Sequence, residues 1–160
     1  MNKSIKMLAF MGLFMALLVV ATVVVSFPVP TFNLYFNLGE SVIYLVALVY
    51  GAIPAAVIGS VGSALSDILK GYPMWAPITF FIKGTEGFIA GYFARRFNPF
   101  AGVVMGAVFM MAGYAMAAWK LYGPGAVPVE LAGDFFQVSV GAIIALLLYK
   151  RMKNFLIKDN

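Results

Sequence analysis

Gly62-Ser-Ala-Leu-Ser-Asp67-Ile-Leu-Lys-Gly71-Tyr-Pro-Met-Trp75-Ala-Pro-Ile-Thr-Phe-Phe-Ile-Lys83-Gly-Thr-Glu86-Gly-Phe88 decides how this chain is read. It sets an aspartate, a lysine and a glutamate inside or beside apolar segments long enough to cross a bilayer. Ionisable groups at that depth cost several kcal/mol unless they are paired or wet, and they mark solute-handling sites. The surrounding sequence agrees. Of 160 residues, 63% are hydrophobic and 11% charged, against about 25% charged in an ordinary soluble domain. The chain is read as an integral membrane protein.

Breakers divide it into six expected helices, at about 4–27, 40–50, 53–70, 75–94, 100–122 and 131–152. The second is short for a span, which takes about 20 residues. Pro28 and Pro30 close the first segment, Gly51 and Pro54 separate the second and third, and Gly71 and Pro73 the third and fourth. Asn98-Pro99 and Gly123-Pro124-Gly125 bound the fifth. The segments are continuously apolar and do not alternate, which argues against a transmembrane barrel. The first run is too long for a signal h-region and lacks a small-residue cleavage site, so it is expected to be retained. The expectation is one all-α, membrane-embedded, substrate-binding domain over residues 1–160.

The net charge of +5 is distributed by topology. Lys3, Lys6, Arg95, Arg96, Lys150, Arg151, Lys153 and Lys158 fall on the side of the termini, whereas Lys70, Lys83 and Lys120 fall in the membrane or opposite. The positive-inside rule then places both termini in the cytoplasm of a multi-pass plasma-membrane protein and disfavours a nucleic-acid role. Glu40, Asp67 and Asp134 fall near the outer surface, with Glu130 in an outer loop. Lys83 lies eight residues past Trp75, about 12 Å deep at 1.5 Å per residue. The polar residues thus gather in the outer half, as in a pocket open to the outside.

Lys83 and Glu86 are three apart on one helix and share a face. They are read either as a structural ion pair or as ligand contacts. Asp67 and Lys70 have the same spacing. Asn33, Tyr35 and Asn37 lie among aromatic residues in the first outer segment. Tyr72 and Trp75 follow in the second, and Tyr114, Trp119 and Tyr122 lie on the fifth helix. An interfacial belt accounts for some of these rings. Rings beside amide donors and acceptors also suit a planar heteroaromatic ligand. Small residues recur in helices three to five, where they let helices approach. The stripe Ala9, Gly12 and Ala16 on the first helix is free to face a partner subunit.

No cysteine or histidine is present, which excludes thiol chemistry, disulfides and His-ligated metals. There is no phosphate-binding Gly-x-x-x-x-Gly-Lys-Ser/Thr loop, no serine beside a base and no acid cluster with metal-ligand spacing. No catalytic residue, metal or cofactor is expected. The competing functions are a solute-binding transport subunit, an intramembrane enzyme using Asp67, Lys83 and Glu86 on lipid, and a purely structural subunit.

The chain resembles the substrate-binding S component of energy-coupling-factor (ECF) vitamin transporters along its whole length. The likeness is carried by Phe27-Pro-x-Pro30, Asn37-Leu-Gly-Glu40, Gly62-Ser63-x-x-x-Asp67…Gly71-Tyr72 and Trp75-Ala-Pro-x-Thr…Lys83-Gly-x-Glu86-Gly-Phe88. It points to the riboflavin-type branch, which has members linked to pyridoxine or thiamine precursors. The resemblance implies capture of a vitamin from outside as cargo, under the first outer loop at residues 28–38. It also implies toppling driven by two ATPases through a transmembrane coupling subunit docked on the first helix. At Gly12 glycine replaces the commoner alanine. Riboflavin is the expected cargo, with pyridoxine or a thiamine precursor as alternatives.

Overall fold

The computed structural model describes residues 3–29 and 34–158, with side-chain surroundings for residues 5, 7–27 and 35–152. Among the described residues six α-helices form: α1 Lys3–Val24, α2 Gly39–Tyr50, α3 Ala52–Leu69, α4 Ala76–Arg96, α5 Pro99–Tyr122 and α6 Val127–Lys158. In hydrocarbon a helix satisfies every backbone polar group internally, which is why continuously apolar runs fold this way. Of these described helices, four are long and apolar enough to cross a membrane. Of the other two, α4 has 21 residues but carries Lys83, Glu86, Arg95 and Arg96, and α2 has only 12 residues.

Two expectations are corrected. The first helix stops at Val24, because Ser26–Val29 (β1) pairs antiparallel with Leu34–Asn37 (β2) in a small hairpin. Pro28, within β1, has no N–H to extend a helix and suits the extended strand. Glu130 sits in the first turn of α6 rather than in a loop.

Helix α2 is the centre of the bundle, with Val42 to Leu48 all buried. That explains why its sequence is apolar all round. It ends at Gly51, whose φ of 90° caps the helix with N–H bonds to the carbonyls of Val46 and Ala47. A side chain is strained in that left-handed region. Helix α5 starts on Asn98, whose side chain accepts from the Ala101 N–H at 2.9 Å, with Pro99 at the first helical position. Both are strong start signals.

The small residues of α3 to α5 pack internally. A methyl at Gly87 would lie 2.5 Å from the Ala55 carbonyl oxygen, and one at Gly102 would lie 2.4 Å from that of Ala90. Helix α1 is peripheral. Ala9, Gly12 and Ala16 are exposed, and nothing lies within 4 Å of a Cβ placed on Gly12.

The two ends of the bundle differ. At one end Phe10 meets Tyr50 with ring centroids 3.8 Å apart, and the Arg95 guanidinium donates to the Tyr50 carbonyl at 2.6 Å. The other end carries the hairpin, Trp75 and the start of α6, and it holds the polar cavity.

Candidate functional site

Helical spacing builds the site. Trp75, Thr79, Lys83 and Glu86 recur every three or four residues along α4, so they share one face. Glu130, Asp134 and Gln137 do the same on α6, and Ser63 and Asp67 on α3. With Thr22 of α1, Glu40 and Ile43 of α2, Tyr114 of α5, and Tyr35 and Asn37 of the hairpin, all but Glu86 line one cavity. About 530 Å³ of empty space lies among these residues, part of it open to solvent, yet a water centre can occupy only about 40 Å³. The space is narrow and partly open at the hairpin end. β2 is seated on α6, where the Phe36 ring fills the space that a side chain at Gly133 would need.

Three polar clusters shape the cavity. In the first, Lys83 Nζ donates to Glu40 Oε1 and, at 3.1 Å, to Glu86 Oε2. Tyr44 donates its hydroxyl to Glu86 Oε1 at 2.6 Å, and Gln137 Nε2 donates to Glu40 Oε1 at 2.8 Å. The Asn37 N–H donates to Gln137 Oε1 at 2.7 Å, and Asn37 Oδ1 accepts from the Gly39 N–H at 2.7 Å. The buried ion pair is thereby linked to the hairpin through a continuous hydrogen-bond chain. Such chains fix geometry in a low dielectric.

The second cluster latches the hairpin to α3. The Tyr35 hydroxyl donates to Asp67 Oδ1 at 2.5 Å. Lys70 donates to Ser26 Oγ and sits 4.3 Å from the Tyr35 ring centre, and the Tyr72 ring lies 5.1 Å from that of Tyr35. Burial raises the Tyr35 phenol pKa, and the charge and hydrogen bond of Asp67 raise it further. The hydroxyl stays a donor. Burial also lowers the Lys70 pKa, against the pull of Asp67. Among the described residues Lys70 is held by Ser26 and Tyr35, although its spacing also allowed a pair with Asp67.

The third cluster is aromatic. Trp75 Nε1 donates to the Tyr122 hydroxyl at 3.1 Å, and Tyr114 donates to Thr79 Oγ1 at 3.1 Å. Trp75 and Tyr114 lie 5.9 Å apart by ring centroids, and Lys83 is 5.2 Å from the Tyr114 ring.

Eight expected site residues line the cavity: Tyr35, Asn37, Glu40, Asp67, Trp75, Lys83, Tyr114 and Asp134. Glu86 is buried behind Lys83, and Tyr72 supports Tyr35; neither lines the cavity. Trp119 is 56% exposed and does not line it. At 100° per residue it points about 140° away from Tyr114 on α5, whereas buried Ala118 stays on the inner face. Asn33 lies outside the described residues. Thr22, Ser63, Thr79, Glu130 and Gln137 were missed. The spacings of Thr79 before Lys83, and of Glu130 and Gln137 around Asp134, carried the signal for three of them.

Chemically, the cavity offers flat faces and four buried carboxyl groups, those of Glu40, Asp67, Glu130 and Asp134. Among the described residues, the buried oxygens Glu40 Oε2, Asp67 Oδ2, Glu130 Oε2 and Asp134 Oδ2 have no hydrogen-bond partner, nor does Thr22 Oγ1. Among those residues no three acids come together as a metal site.

Comparison with known proteins now bears on the chain as a whole. Residues 2–154 match the model of the family described as the ECF-type riboflavin transporter, S component. An uncharacterized protein in a gap 3' region of Pyrococcus woesei is 41% identical over 129 residues, covering 78% of this chain and 86% of that protein. The thiamine precursor transporter HmpT of Lactococcus lactis is 28% identical over 148 residues, covering 92% of this chain and 87% of the relative. A solved structure of the S component of a bacterial ECF transporter superposes with a TM-score of 0.78 at 18% identity. It covers 96% of this chain and 99% of the other. At that identity the superposition speaks for the fold alone. The chain is a multi-pass plasma-membrane protein and not an enzyme, and it belongs to the family of ECF-type riboflavin transporter S components.

Proposed function

We propose that residues 1–160 form one membrane-embedded unit that captures a vitamin in the hairpin-capped cavity and carries it as cargo, without a cofactor of its own. One observation carries this reading. One end of an apolar bundle holds a narrow, ring-lined polar cavity beneath the hairpin, which is latched through Tyr35 and Asp67 and joined to the buried Glu40–Lys83 pair. Polar and ionisable groups gathered in one place within an apolar bundle mark a ligand site.

Riboflavin is the cargo named in the family description, and the rings of Trp75, Tyr114 and Tyr35 suit its planar ring system. A thiamine precursor is the cargo named for the Lactococcus relative, and pyridoxine is the third alternative. The energy source in this reading is a pair of ATPases acting through a transmembrane coupling subunit. The open stripe at Ala9, Gly12 and Ala16 supports docking of that subunit on α1, since small residues admit a close helix contact.

Equilibrium binding of the three vitamins to the detergent-solubilised chain tests the reading. Saturable binding of one of them is expected. Binding of none of them, by a folded protein, sinks it.

A further inference from the structure

The end of the bundle opposite the polar cavity holds a second, wider space. It lies where α2 ends, α3 begins and α4 ends, and Tyr50, Ile53, Pro54, Tyr92, Arg95 and Arg96 line it. About 490 Å³ of it admits the centre of a water molecule, against about 40 Å³ in the polar cavity. The two share no lining residue.

The charge of this cleft is one-sided. Arg95 and Arg96 are both exposed. Among the described residues no acid lines the cleft, and neither arginine pairs with one. A basic residue that serves only the positive-inside rule reaches outward to water. Arg95 instead folds back across the turn between α2 and α3 and donates to the Tyr50 carbonyl at 2.6 Å. Its guanidinium occupies the place that a side chain on Gly51 would need. One donor is spent on Tyr50, and the rest of the fork stays available. The first turn of α3, which has no side-chain cap, borders the same space and adds partial positive charge.

The cleft also has an apolar side. Tyr92 stacks on Phe88, one turn deeper in α4, with ring planes 7° apart and centroids 6.4 Å apart. Both rings and Ile53 are exposed, so they offer a track for hydrocarbon leading away from the arginines. A guanidinium fork matches paired phosphate oxygens. Both arginines stand on the cytoplasmic side, where anionic lipids gather and basic pockets between membrane helices take their headgroups. We propose that this cleft holds one anionic phospholipid of the cytoplasmic leaflet. Arg95 and Arg96 grip its phosphate, and an acyl chain lies along Ile53, Tyr92 and Phe88.

The test is native mass spectrometry of the intact chain in detergent, titrated with three probes. These are phosphatidylglycerol, phosphatidylcholine with the same acyl chains, and inorganic phosphate. One phosphatidylglycerol is expected to be retained at least about fivefold more tightly than phosphatidylcholine, the worth of one arginine near an anionic headgroup. Arg96→Gln is expected to weaken it by about the same factor. Arg96 holds no side-chain hydrogen bond among the described residues, so this variant does not put folding at issue as Arg95→Gln does. Arg151→Gln, on the same side of the membrane but outside the cleft, is expected to leave retention unchanged. Equal retention of the two lipids overturns the inference, as does retention of neither. An equal loss in Arg151→Gln overturns it too, because the attraction is then diffuse. Inorganic phosphate binding as tightly as the lipid makes the cleft a site for free anions and overturns the lipid assignment.

Discussion

Replacing Lys83 by methionine tests the centre of the site. The ammonium is 4% exposed and lies between Glu40 and Glu86, each fully buried. Methionine keeps most of the volume and the contact with the Tyr114 ring, so the change isolates charge. Glu86 retains the Tyr44 hydroxyl, and Glu40 retains the Gln137 amide. Both lose their only cationic partner among the described residues. Breaking a buried pair by removing one member costs roughly 3–5 kcal/mol, because the other charge is left uncompensated. For a chain of this size each kcal/mol moves Tm by about 2–4 °C, which gives a drop of roughly 6–20 °C. Thermal unfolding in detergent, followed by tryptophan fluorescence, reads it. The triple variant Lys83→Met, Glu40→Gln, Glu86→Gln removes the whole ionisable network, and it is expected to recover most of the loss, since a buried ion network replaced as a whole is often neutral. A Tm for Lys83→Met within about 3 °C of the parent chain refutes the reasoning, as does a triple variant less stable than the single one.

Tyr35→Phe removes the hydroxyl that donates to Asp67 without disturbing the rings. Losing a hydrogen bond to a charged acceptor costs roughly 1.5–3 kcal/mol, so release of bound vitamin in stopped-flow measurements is expected to quicken about tenfold or more. Unchanged release shows that the hairpin is held by other contacts. Gly91→Ala places a methyl 2.4 Å from the Ala52 nitrogen. Because backbone atoms cannot step aside, α4 shifts from α3 at a cost of about 1–3 kcal/mol, whereas Gly12→Ala, facing open space, is expected to leave Tm unchanged. Gly12→Leu combined with Ala16→Leu is expected to keep vitamin binding in detergent and to abolish uptake in cells carrying the full transporter. Normal uptake removes the stripe from docking, and loss of binding assigns it to internal packing.

Sequence alone was enough for the membrane setting and for most of the helices. The physical reason is the solvent: hydrocarbon offers the backbone no partners, so a long apolar run has almost one choice of structure, and Gly51, Asn98-Pro99 and Gly123 mark ends by local chemistry. The importance of Asp67, Lys83 and Glu86 was also legible, because charge in an apolar segment is costly wherever the chain goes. Tertiary structure decided their roles. Lys83 and Glu86, left open between an ion pair and ligand contacts, do pair across one helical turn, and Glu40, which is 43 residues away, joins them. Lys70 turns to Ser26 and Tyr35 instead of Asp67 because the hairpin brings both within reach. That hairpin was invisible beforehand, since strands of four residues gain their stability from cross-strand and long-range contacts rather than from local preference. Trp119 and Tyr114 looked alike as outer aromatics on one helix, and only the way α5 turns toward its neighbours sends one ring into the cavity and leaves the other exposed.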